Sequence, residues 1–303
     1  MRKLIAPAIG AIATLVLIAA PSADARSKYA DVRVVTNTGE TLADHRQYTD
    51  DVRVKASEDA DCFGESSPSS NETYRLEEPN MLGALTDAAK NDQDLKPLLI
   101  TDAFFDSYGF GVCDIGGVET EGFSYWYYAM NGAAATTGAD QIPVANGDRH
   151  LWYLTTGNEP GFPAELVLKA PARVTPGEKF TVKVLRLKPD GTKTAAKRVR
   201  VTNALTRTDE NGKAKVIVDA GRTDLVATGR PDDVPSAEVA VCAAEDPSEC
   251  PRRRGKTIYG SPGNDEIEGT RGPDRIDCGR GEDVVRGAQQ SDQIAGSCEK
   301  VKR

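Results

Sequence analysis

The C-terminal part of the chain repeats every nine residues, and this periodicity restricts its fold more than any other feature of the sequence. Four consecutive nonapeptides run from Gly260 without an insertion, as GSPGNDEIE, GTRGPDRID, CGRGEDVVR and GAQQSDQIA. The sixth place of each is an aspartate, in order Asp265, Asp274, Asp283 and Asp292. The eighth place is a branched aliphatic residue, in order Ile267, Ile276, Val285 and Ile294. The pattern predicts a short parallel β-roll over residues 257–299, in which each nonapeptide forms half a turn.

The sixth-place aspartates are the candidate metal ligands. Each repeat is expected to form a loop, whose glycines permit a positive φ, followed by a short strand whose aliphatic residue points inward. Because a full turn is two repeats, the first loop should stack on the third and the second on the fourth. This places Asp265 and Asp283 along one edge of the roll, and Asp274 and Asp292 along the other. Carboxylate and loop carbonyl oxygens are the ligands of Ca²⁺, which takes roughly six to eight of them.

Over about residues 256–298 the chain resembles the hemolysin-type (RTX) repeat family, and the resemblance implies calcium bound between stacked loops. The first three repeats each keep two loop glycines, whereas the fourth keeps only Gly287 and has Gln289 and Gln290 inside its loop. The edge of Asp274 and Asp292 is therefore expected to be the poorer site. Since solenoids need several stacked units to bury a core, the alternative is a metal-free cap held by a disulfide and aliphatic stacking.

The N-terminus and the charge indicate a secreted chain. Arg2 and Lys3 precede an apolar stretch that ends at Ala20, and Ala23–Ala25 is an A-x-A cleavage motif, so residues 1–25 read as a signal peptide. The alternative, a membrane anchor, is disfavoured because the stretch is short and contains a proline and a glycine. No membrane span is expected after signal removal. The formal net charge of −8 argues against a nucleic-acid partner.

The six cysteines suit an oxidising, extracellular compartment. Six cysteines allow fifteen pairings, so connectivity is a hypothesis from sequence alone. Their grouping along the chain suggests three local bridges: Cys62–Cys113, Cys242–Cys250 and Cys278–Cys298. No group of cysteines and histidines has the spacing of a zinc site.

Residues 29–156 are expected to form an α+β module, mostly antiparallel sheet, with a helix capped by Asn80 and running to about Lys90. The segments NMLGALTDAA, YGFGVCDIGGV, YWYYAMNG and GADQIPVANGDRHLWYL follow in this order. In this order they resemble the C-terminal β-domain of transcobalamin and related secreted bacterial modules of undefined function. The resemblance implies a β-grasp-like fold. In transcobalamin this domain covers one face of cobalamin, but nothing here supplies the helical barrel that holds the other face.

The aromatic run of this module should have two different faces. On a strand, Tyr125 and Tyr127 point to one side and Trp126 and Tyr128 to the other. One face is expected to pack on the helix as core. The opposite face is either core as well or an exposed surface for a partner, since aromatic residues are enriched at interfaces.

A second β module follows at residues 164–242, after a Gly/Pro linker at 157–163. Its short strands alternate with turns, which predicts a β-sandwich. The segment TDENGKA at 208–214 resembles the T-D-x-N-G-x-A motif of bacterial Ig-like domains, which implies a spacer or adhesive unit. Residues 243–256 are expected to be a second linker that contains an arginine run at 252–254. This run is either simply exposed to solvent, a site of protease cleavage, or a segment that attracts cell-wall or surface polymers.

The sequence thus predicts a mainly β multidomain protein, secreted or at the cell surface, that binds Ca²⁺ through its nonapeptides. The alternative is an extracellular carrier of a small ligand, cobalamin-like or another cofactor, which would use the first module. No enzymatic activity is expected, because the chain has no G-x-S-x-G or H-E-x-x-H motif and only two histidines.

Overall fold

A computed structural model describes residues 27–64, 67–156, 162–231, 233–250 and 255–302. The expected signal peptide, most of the first linker and the arginine run lie outside the described residues. The chain is mainly β, with several sheets and multiple domains, as the sequence predicted. In the part of the chain that the structure describes, no helix is both long and apolar enough to cross a membrane.

The first module is a mixed sheet with one long helix on it. Its strands are β1 (Lys28–Val35), β2 (Thr41–Thr49), β3 (Val52–Lys55), β4 (Thr73–Leu76), β5 (Leu98–Thr101), β6 (Gly111–Ile115), β7 (Val118–Glu119), β8 (Trp126–Met130), β9 (Ala133–Ala134) and β10 (Asp148–Leu154). Its helices are α1 (Met81–Asn91) and α2 (Phe105–Tyr108), with 3₁₀ turns at Gln93–Leu95 and Ala139–Gln141. The main sheet has the order β2-β1-β10-β8-β9, in which β1 and β10 are parallel. β3 pairs with β4, and β5, β6 and β7 form a separate sheet.

Helix α1 begins and packs as its sequence indicates. The side chain of Asn80 accepts a hydrogen bond from the backbone N–H of Gly83 at 2.8 Å, which satisfies a free donor of the first turn. The apolar face of α1, including Leu82 and Leu85, packs on the same core as Val32 and Trp152 of the sheet. This core holds β1 and β2 in place, and the C-terminal roll continues their sheet at the edge of β2.

The aromatic run is buried on both faces of its strand. Trp126 lies in the core beneath α1. Tyr127, on the opposite face, packs with Tyr153 and with Val234 of the second module. The face that could have been an open interaction surface is therefore largely covered by the next module, while Tyr125 stays exposed at the strand's start.

The second module consists of several small sheets around one core. Its strands are β11 (Ala164–Lys169), β12 (Arg173–Val174), β13 (Phe180–Leu187), β14 (Lys193–Ala195), β15 (Arg200–Val201), β16 (Lys213–Val216), β17 (Gly221–Leu225), β18 (Ala227–Thr228), β19 (Asp233–Val234) and β20 (Val239–Ala243), with a 3₁₀ turn at Pro247–Glu249. One sheet has the order β14-β13-β11-β19 with β16 also on β13, and another has the order β12-β20-β17. Both contribute to a shared apolar core that includes Leu166, Val184 and Val241.

The nonapeptides form a roll of two parallel sheets. Its strands are β21 (Thr257–Tyr259), β22 (Glu266–Glu268), β23 (Arg275–Asp277), β24 (Val284–Arg286), β25 (Gln293–Ile294) and β26 (Lys300–Lys302). The odd-numbered strands pair in the order β21-β23-β25 and the even-numbered strands in the order β22-β24-β26. The eighth-place aliphatics point inward, and Ile267, Ile276 and Val285 are almost fully buried. Each nonapeptide thus contributes one loop and one rung.

The roll continues the main sheet of the first module, which the sequence did not predict. β21 pairs in parallel with β2, so that one eight-stranded sheet has the order β25-β23-β21-β2-β1-β10-β8-β9. Tyr48 of β2 belongs to the core of the roll, and its hydroxyl accepts a hydrogen bond from the backbone N–H of Glu268 at 2.9 Å. β2 therefore covers a strand edge that would otherwise expose unpaired backbone groups. It also extends a core that two turns alone would leave small.

Three disulfides cross-link the described residues, and they are the pairs suggested by the cysteine grouping: Cys62–Cys113, Cys242–Cys250 and Cys278–Cys298. The first joins the loop after β3 to β6. The second joins β20 to the segment after the last 3₁₀ turn. The third joins the start of the third repeat to the segment that precedes β26, so it closes the roll at its C-terminal end.

Candidate metal centre

The loops of the roll stack so closely that only glycine fits at several positions. A side chain at Gly281, whose φ is +131°, would place its Cβ 2.2 Å from the carbonyl oxygen of Gly263 in the first loop. A Cβ at Gly260 would likewise lie 2.0 Å from the carbonyl oxygen of Cys278. The strand register agrees, since each rung pairs with the rung two repeats later. The loops thus stack first on third and second on fourth.

Asp265 and Asp283 form a column on one edge of the roll, named here the first edge. Both side chains are buried, with 2% and 0% of the residue surface exposed. The Asp265 carboxylate accepts hydrogen bonds from the backbone N–H of Ser261 at 2.7 Å and from its hydroxyl at 3.0 Å. Asp283 Oδ1 accepts one from the backbone N–H of Asp265, a full turn earlier, at 2.8 Å. Asp283 Oδ2, however, is buried and has no hydrogen-bond partner.

Negative charge in this column is costly because it is buried and repeated. Burial raises the pKa of Asp265 to about 6, and repulsion from Asp283 adds to the rise, while hydrogen bonds from Ser27 and Ser261 oppose it. Burial also raises the pKa of Asp283, with repulsion from Glu299 adding to the effect. Buried charges are normally paired or bound to a metal, since desolvation otherwise disfavours the charged form. A cation at the first edge would remove this cost.

Asp274 and Asp292 lie on the opposite edge, named here the second edge, and the protein itself satisfies their carboxylates. Asp274 accepts hydrogen bonds from the N–H and hydroxyl of Thr270 at 2.5 and 2.6 Å, and from the backbone N–H of Lys256 at 2.7 Å. Asp292 accepts from the backbone N–H groups of Asp274 at 3.0 Å and Gln289 at 2.6 Å. Gln289 Nε2 also donates to the Thr270 carbonyl at 3.0 Å, which occupies a loop oxygen.

Lys256 begins the second edge with a positive charge. It lies eighteen residues before Asp274 and bonds the Asp274 carboxylate through its backbone, so it occupies the sixth place of a half turn that precedes the four repeats. Its amine forms an ion pair with Asp31 of the first module. The place that would hold an aspartate in a longer array therefore holds a cation that ties the roll to its neighbour.

The last carboxylate of the first edge belongs to Glu299, which the nine-residue spacing of the repeats does not predict. Val301 pairs with Val285, so Val301 has the eighth place of a fifth repeat and Glu299 the sixth. Glu299 Oε2 accepts a hydrogen bond from the backbone N–H of Asp283 at 2.8 Å, as Asp283 accepts one from Asp265. The separation is 16 residues instead of 18. The available signal was an acidic residue two places before an aliphatic residue, shortly after the fourth repeat.

The first loop is held by side chains of the first module. The carbonyl oxygen of Gly260 accepts hydrogen bonds from Gln47 Nε2 at 3.1 Å and from Asn91 Nδ2 at 3.3 Å. Gln47 lies on β2 and is fully buried, and Asn91 is the last residue of α1. The start of the first edge is therefore fixed before any ion binds.

The donor chemistry of the first edge suits Ca²⁺. Its carboxylates offer only oxygen atoms, the backbone carbonyls of one loop lie against the glycines of the loop stacked on it, and the buried Asp283 Oδ2 lacks a partner. In the conformation described, residues 27–302 with their gaps contain no group of three or more His, Cys, Asp or Glu side chains placed to hold a metal ion. Calcium coordination here would therefore combine carboxylates with loop carbonyl oxygens, as its preference for roughly six to eight oxygens allows.

A second surface, rich in exposed aromatic residues, lies on the first module. Phe63, Phe104 and Phe105 are exposed around α2, and Tyr108 at its end is 76% exposed. The rings of Phe63 and Phe104 meet edge to face at 5.0 Å, and Phe105 packs on Tyr74 at 5.1 Å. These residues form an exposed aromatic cluster.

Fold and site together define a mainly β multidomain protein that ends in a parallel roll of acidic nonapeptides. Comparison with known families matches residues 259–294 to the RTX calcium-binding nonapeptide repeat, in four copies. Residues 101–156 match a domain of unknown function, DUF4430. One segment of the chain thus matches RTX repeats, which suggests calcium binding, and part of the first module matches a family whose function is unknown. No curated protein and no solved structure matches the chain.

Proposed function

We propose that the protein is a secreted or cell-surface binding protein whose roll binds calcium on its first edge. The observation that carries the proposal is the buried, unpartnered Oδ2 of Asp283, which lies in a column of carboxylates between stacked glycine loops. Asp265 and Asp283 would hold the ion together with loop carbonyl oxygens. Asp274 and Asp292 would form a weaker position. The proposal includes no catalytic role.

Calcium would act on this protein by stabilising the folded roll. A bound Ca²⁺ supplies the positive charge that the buried carboxylates of the first edge lack. An ion that binds only the folded roll stabilises it by RT ln(1 + [L]/Kd). If the affinity lies in the range of extracellular modules, with Kd about 10⁻⁴ to 10⁻³ M, the roll would be stabilised outside the cell, where calcium is abundant, and less stable inside it.

The contacts with the first module would carry this stabilisation beyond the roll. Gln47 and Asn91 hold the first loop, and β2 shares its sheet with β21. A roll that is stabilised by calcium therefore keeps the edge of β2 paired with β21. We infer that calcium sets the rigidity with which the first module is displayed.

The compartment and the identities of the other modules belong to the same proposal. The N-terminal 25 residues resemble a signal peptide, and disulfides persist in oxidising compartments. We propose that the first module is a transcobalamin-like β-domain and the second an Ig-like spacer, and that the arginine run attracts surface polymers. One helix on a sheet and several sheets around one core are compatible with these assignments.

Calorimetry and thermal unfolding of the full chain test calcium binding. With CaCl₂ in place of a chelator we expect a measurable heat of binding and a rise in Tm, whereas MgCl₂ should have a much smaller effect. The double variant Asp265→Asn/Asp283→Asn should lose most of the heat and of the Tm shift. Its matched control, Asp274→Asn/Asp292→Asn, should keep most of both. Absence of heat and of any Tm shift in the unaltered chain would refute the proposal.

The exposed aromatic cluster favours a second candidate, a carrier of a flat small ligand. Aromatic side chains on the surface offer contact area to a ring system such as a corrinoid. Titration of the full chain with cobinamide, followed by absorbance, should then show a saturable change that Phe105→Ala and Tyr108→Ala weaken. A flat titration would leave calcium-dependent display as the function to pursue.

A further inference from the structure

Three carboxylates, and not two, follow one another along the first edge. Asp283 Oδ1 accepts the backbone N–H of Asp265, and Glu299 Oε2 accepts the backbone N–H of Asp283. The same type of contact, from a sixth-place side chain to the backbone one turn earlier, therefore occurs twice in succession. Glu299 continues the column by one rung although its loop is two residues shorter.

The Cys278–Cys298 disulfide holds this shortened loop under the third one. Cys298 directly precedes Glu299, and its partner is the first residue of the third repeat. Ser297 adds to the anchorage, since its hydroxyl accepts a hydrogen bond from the backbone N–H of Cys278 at 3.2 Å and donates one to Asp277 at 2.8 Å. Glu299 is thus a positioned side chain, even though it lies three residues from the last described residue.

The middle carboxylate of the three has an oxygen without a partner, which is the same Asp283 Oδ2 on which the proposed function rests. Asp283 is completely buried, and its Oδ2 has no hydrogen-bond partner. Asp283 lies between Asp265 on one side and Glu299 on the other, so an acidic neighbour is present in both directions. A buried carboxylate oxygen without a partner is destabilising, because its lost hydrogen bonds to water are not replaced, and a bound cation would replace them.

We propose that Glu299 is a calcium-binding residue, and that Asp283 and Glu299 give the first edge a second position for a divalent cation, one rung beyond that of Asp265 and Asp283. The inference rests on the proposed function, because it assumes that the first edge binds calcium. The two edges also differ in the charge of the residue that lies beyond their aspartates. The second edge begins with Lys256, whose ammonium group pairs with Asp31 of the first module, whereas the first edge ends with the carboxylate of Glu299.

Glu299→Gln tests the inference in the full chain, by equilibrium dialysis with ⁴⁵Ca²⁺ and by calorimetry. Glutamine keeps the size of the side chain and an oxygen that can accept the N–H of Asp283, so the variant removes charge without removing the structural bond. The matched control is Glu282→Gln, which removes the same charge from an exposed position beside Asp283. We expect Glu299→Gln to bind one Ca²⁺ fewer, or to bind its weakest first-edge ion about tenfold less tightly, while Glu282→Gln matches the unaltered chain.

The outcomes separate this inference from the function on which it rests. If the unaltered chain binds calcium and Glu299→Gln binds it with the same stoichiometry and affinity, Glu299 is not a ligand and only the Asp265–Asp283 position stands. If the unaltered chain binds none, both proposals fail. Far-ultraviolet circular dichroism and the Tm in chelator check folding, and Glu299→Asp, which keeps the charge, should recover part of the binding that Glu299→Gln loses.

Discussion

The two edges of the roll are built from the same nonapeptide, but they use their carboxylates differently. On the second edge both oxygens of Asp274 and both of Asp292 accept hydrogen bonds from the protein. On the first edge Asp283 keeps one buried oxygen without a partner. A sixth-place aspartate can therefore act as a structural acceptor that staples successive turns, or as a free ligand, and the repeat motif alone does not distinguish the two.

The residues around each aspartate explain the difference. The second edge has Gln290 where the motif has a glycine, its third-place Gln289 donates a hydrogen bond to the Thr270 carbonyl, and it begins with Lys256. The first edge keeps its loop glycines, including Gly279 and Gly281, and ends with Glu299. Of the four sixth-place aspartates, Asp283 alone keeps a buried oxygen that no group among the described residues hydrogen-bonds.

Alanine in place of two loop glycines should give the largest contrast between the edges. Gly281→Ala places a Cβ 2.2 Å from the Gly263 carbonyl at a φ of +131°, so the stacked loops of the first edge must separate. We expect a loss of about 3 kcal/mol in the free energy of unfolding and loss of most calcium binding. Gly287→Ala on the second edge, with a φ of +67° and no atom within 4 Å of the added Cβ, should cost only about 1 kcal/mol.

Urea unfolding with and without calcium measures both glycine effects. Gly296→Ala is the control, because its backbone is outside the left-handed region and no atom lies within 4 Å of the added Cβ. Equal losses for Gly281→Ala and Gly287→Ala would contradict the close stacking of the first edge.

The local chemistry of the roll could be predicted from sequence, because the repeat encodes it. The sixth-place and eighth-place residues alone predict the rungs, the inward aliphatics and the division of the aspartates between two edges, as for Ile267 with Val285. The mainly β fold class and the helix after Asn80 follow from equally local patterns. Helix α1 ends at Asn91, one residue beyond the expected end.

Contacts between distant segments could not be predicted in this way. Tyr48 enters the core of the roll and bonds Glu268 across 220 residues, and no periodicity links the two. Glu299 was missed for a different reason, since its loop departs from the nine-residue spacing and only the pairing of β26 with β24 reveals its place. Which aspartate oxygens remain free also depends on loop conformation, which composition does not specify.

The calcium-free stability of the first edge should depend on pH through Asp265. Burial raises its pKa to about 6, so between about pH 4 and pH 6 the folded chain binds more protons at this site than the unfolded chain does. The contribution of Asp265 to stability is therefore present at low pH and is lost as the pH rises through this window. At pH 7 in chelator, Asp265→Asn should be more stable than the unaltered chain by about 2 kcal/mol, and near pH 4 the two should be similar.

Comparing the two chains at each pH cancels the groups that they share. His150 is one of these, since burial lowers its pKa to about 4 and its effect on stability has the opposite sign. Urea midpoints at pH 4.5, 5.5 and 7.0 provide the measurement. With saturating calcium the order at pH 7 should reverse, because only the ionised carboxylate binds the cation. A pH-independent difference would mean that Asp265 carries no buried charge.

Gln289→Gly should produce the smallest effect, and it tests whether the hydrogen bond from Gln289 keeps the Thr270 carbonyl oxygen from binding calcium at the second edge. The substitution removes the donor on the Thr270 carbonyl, at a third place where the other three loops have Pro262, Arg271 and Arg280. In chelator it should lower the free energy of unfolding by about 1 kcal/mol, because one hydrogen bond is lost and glycine adds backbone freedom to the unfolded chain.

In the Asp265→Asn/Asp283→Asn background, where only the second edge remains, Gln289→Gly should strengthen residual calcium binding about two- to fivefold. Gln290→Gly in the same background is the control. If both variants gain calcium affinity equally, the effect comes from general loosening of the fourth loop and not from release of the Thr270 oxygen.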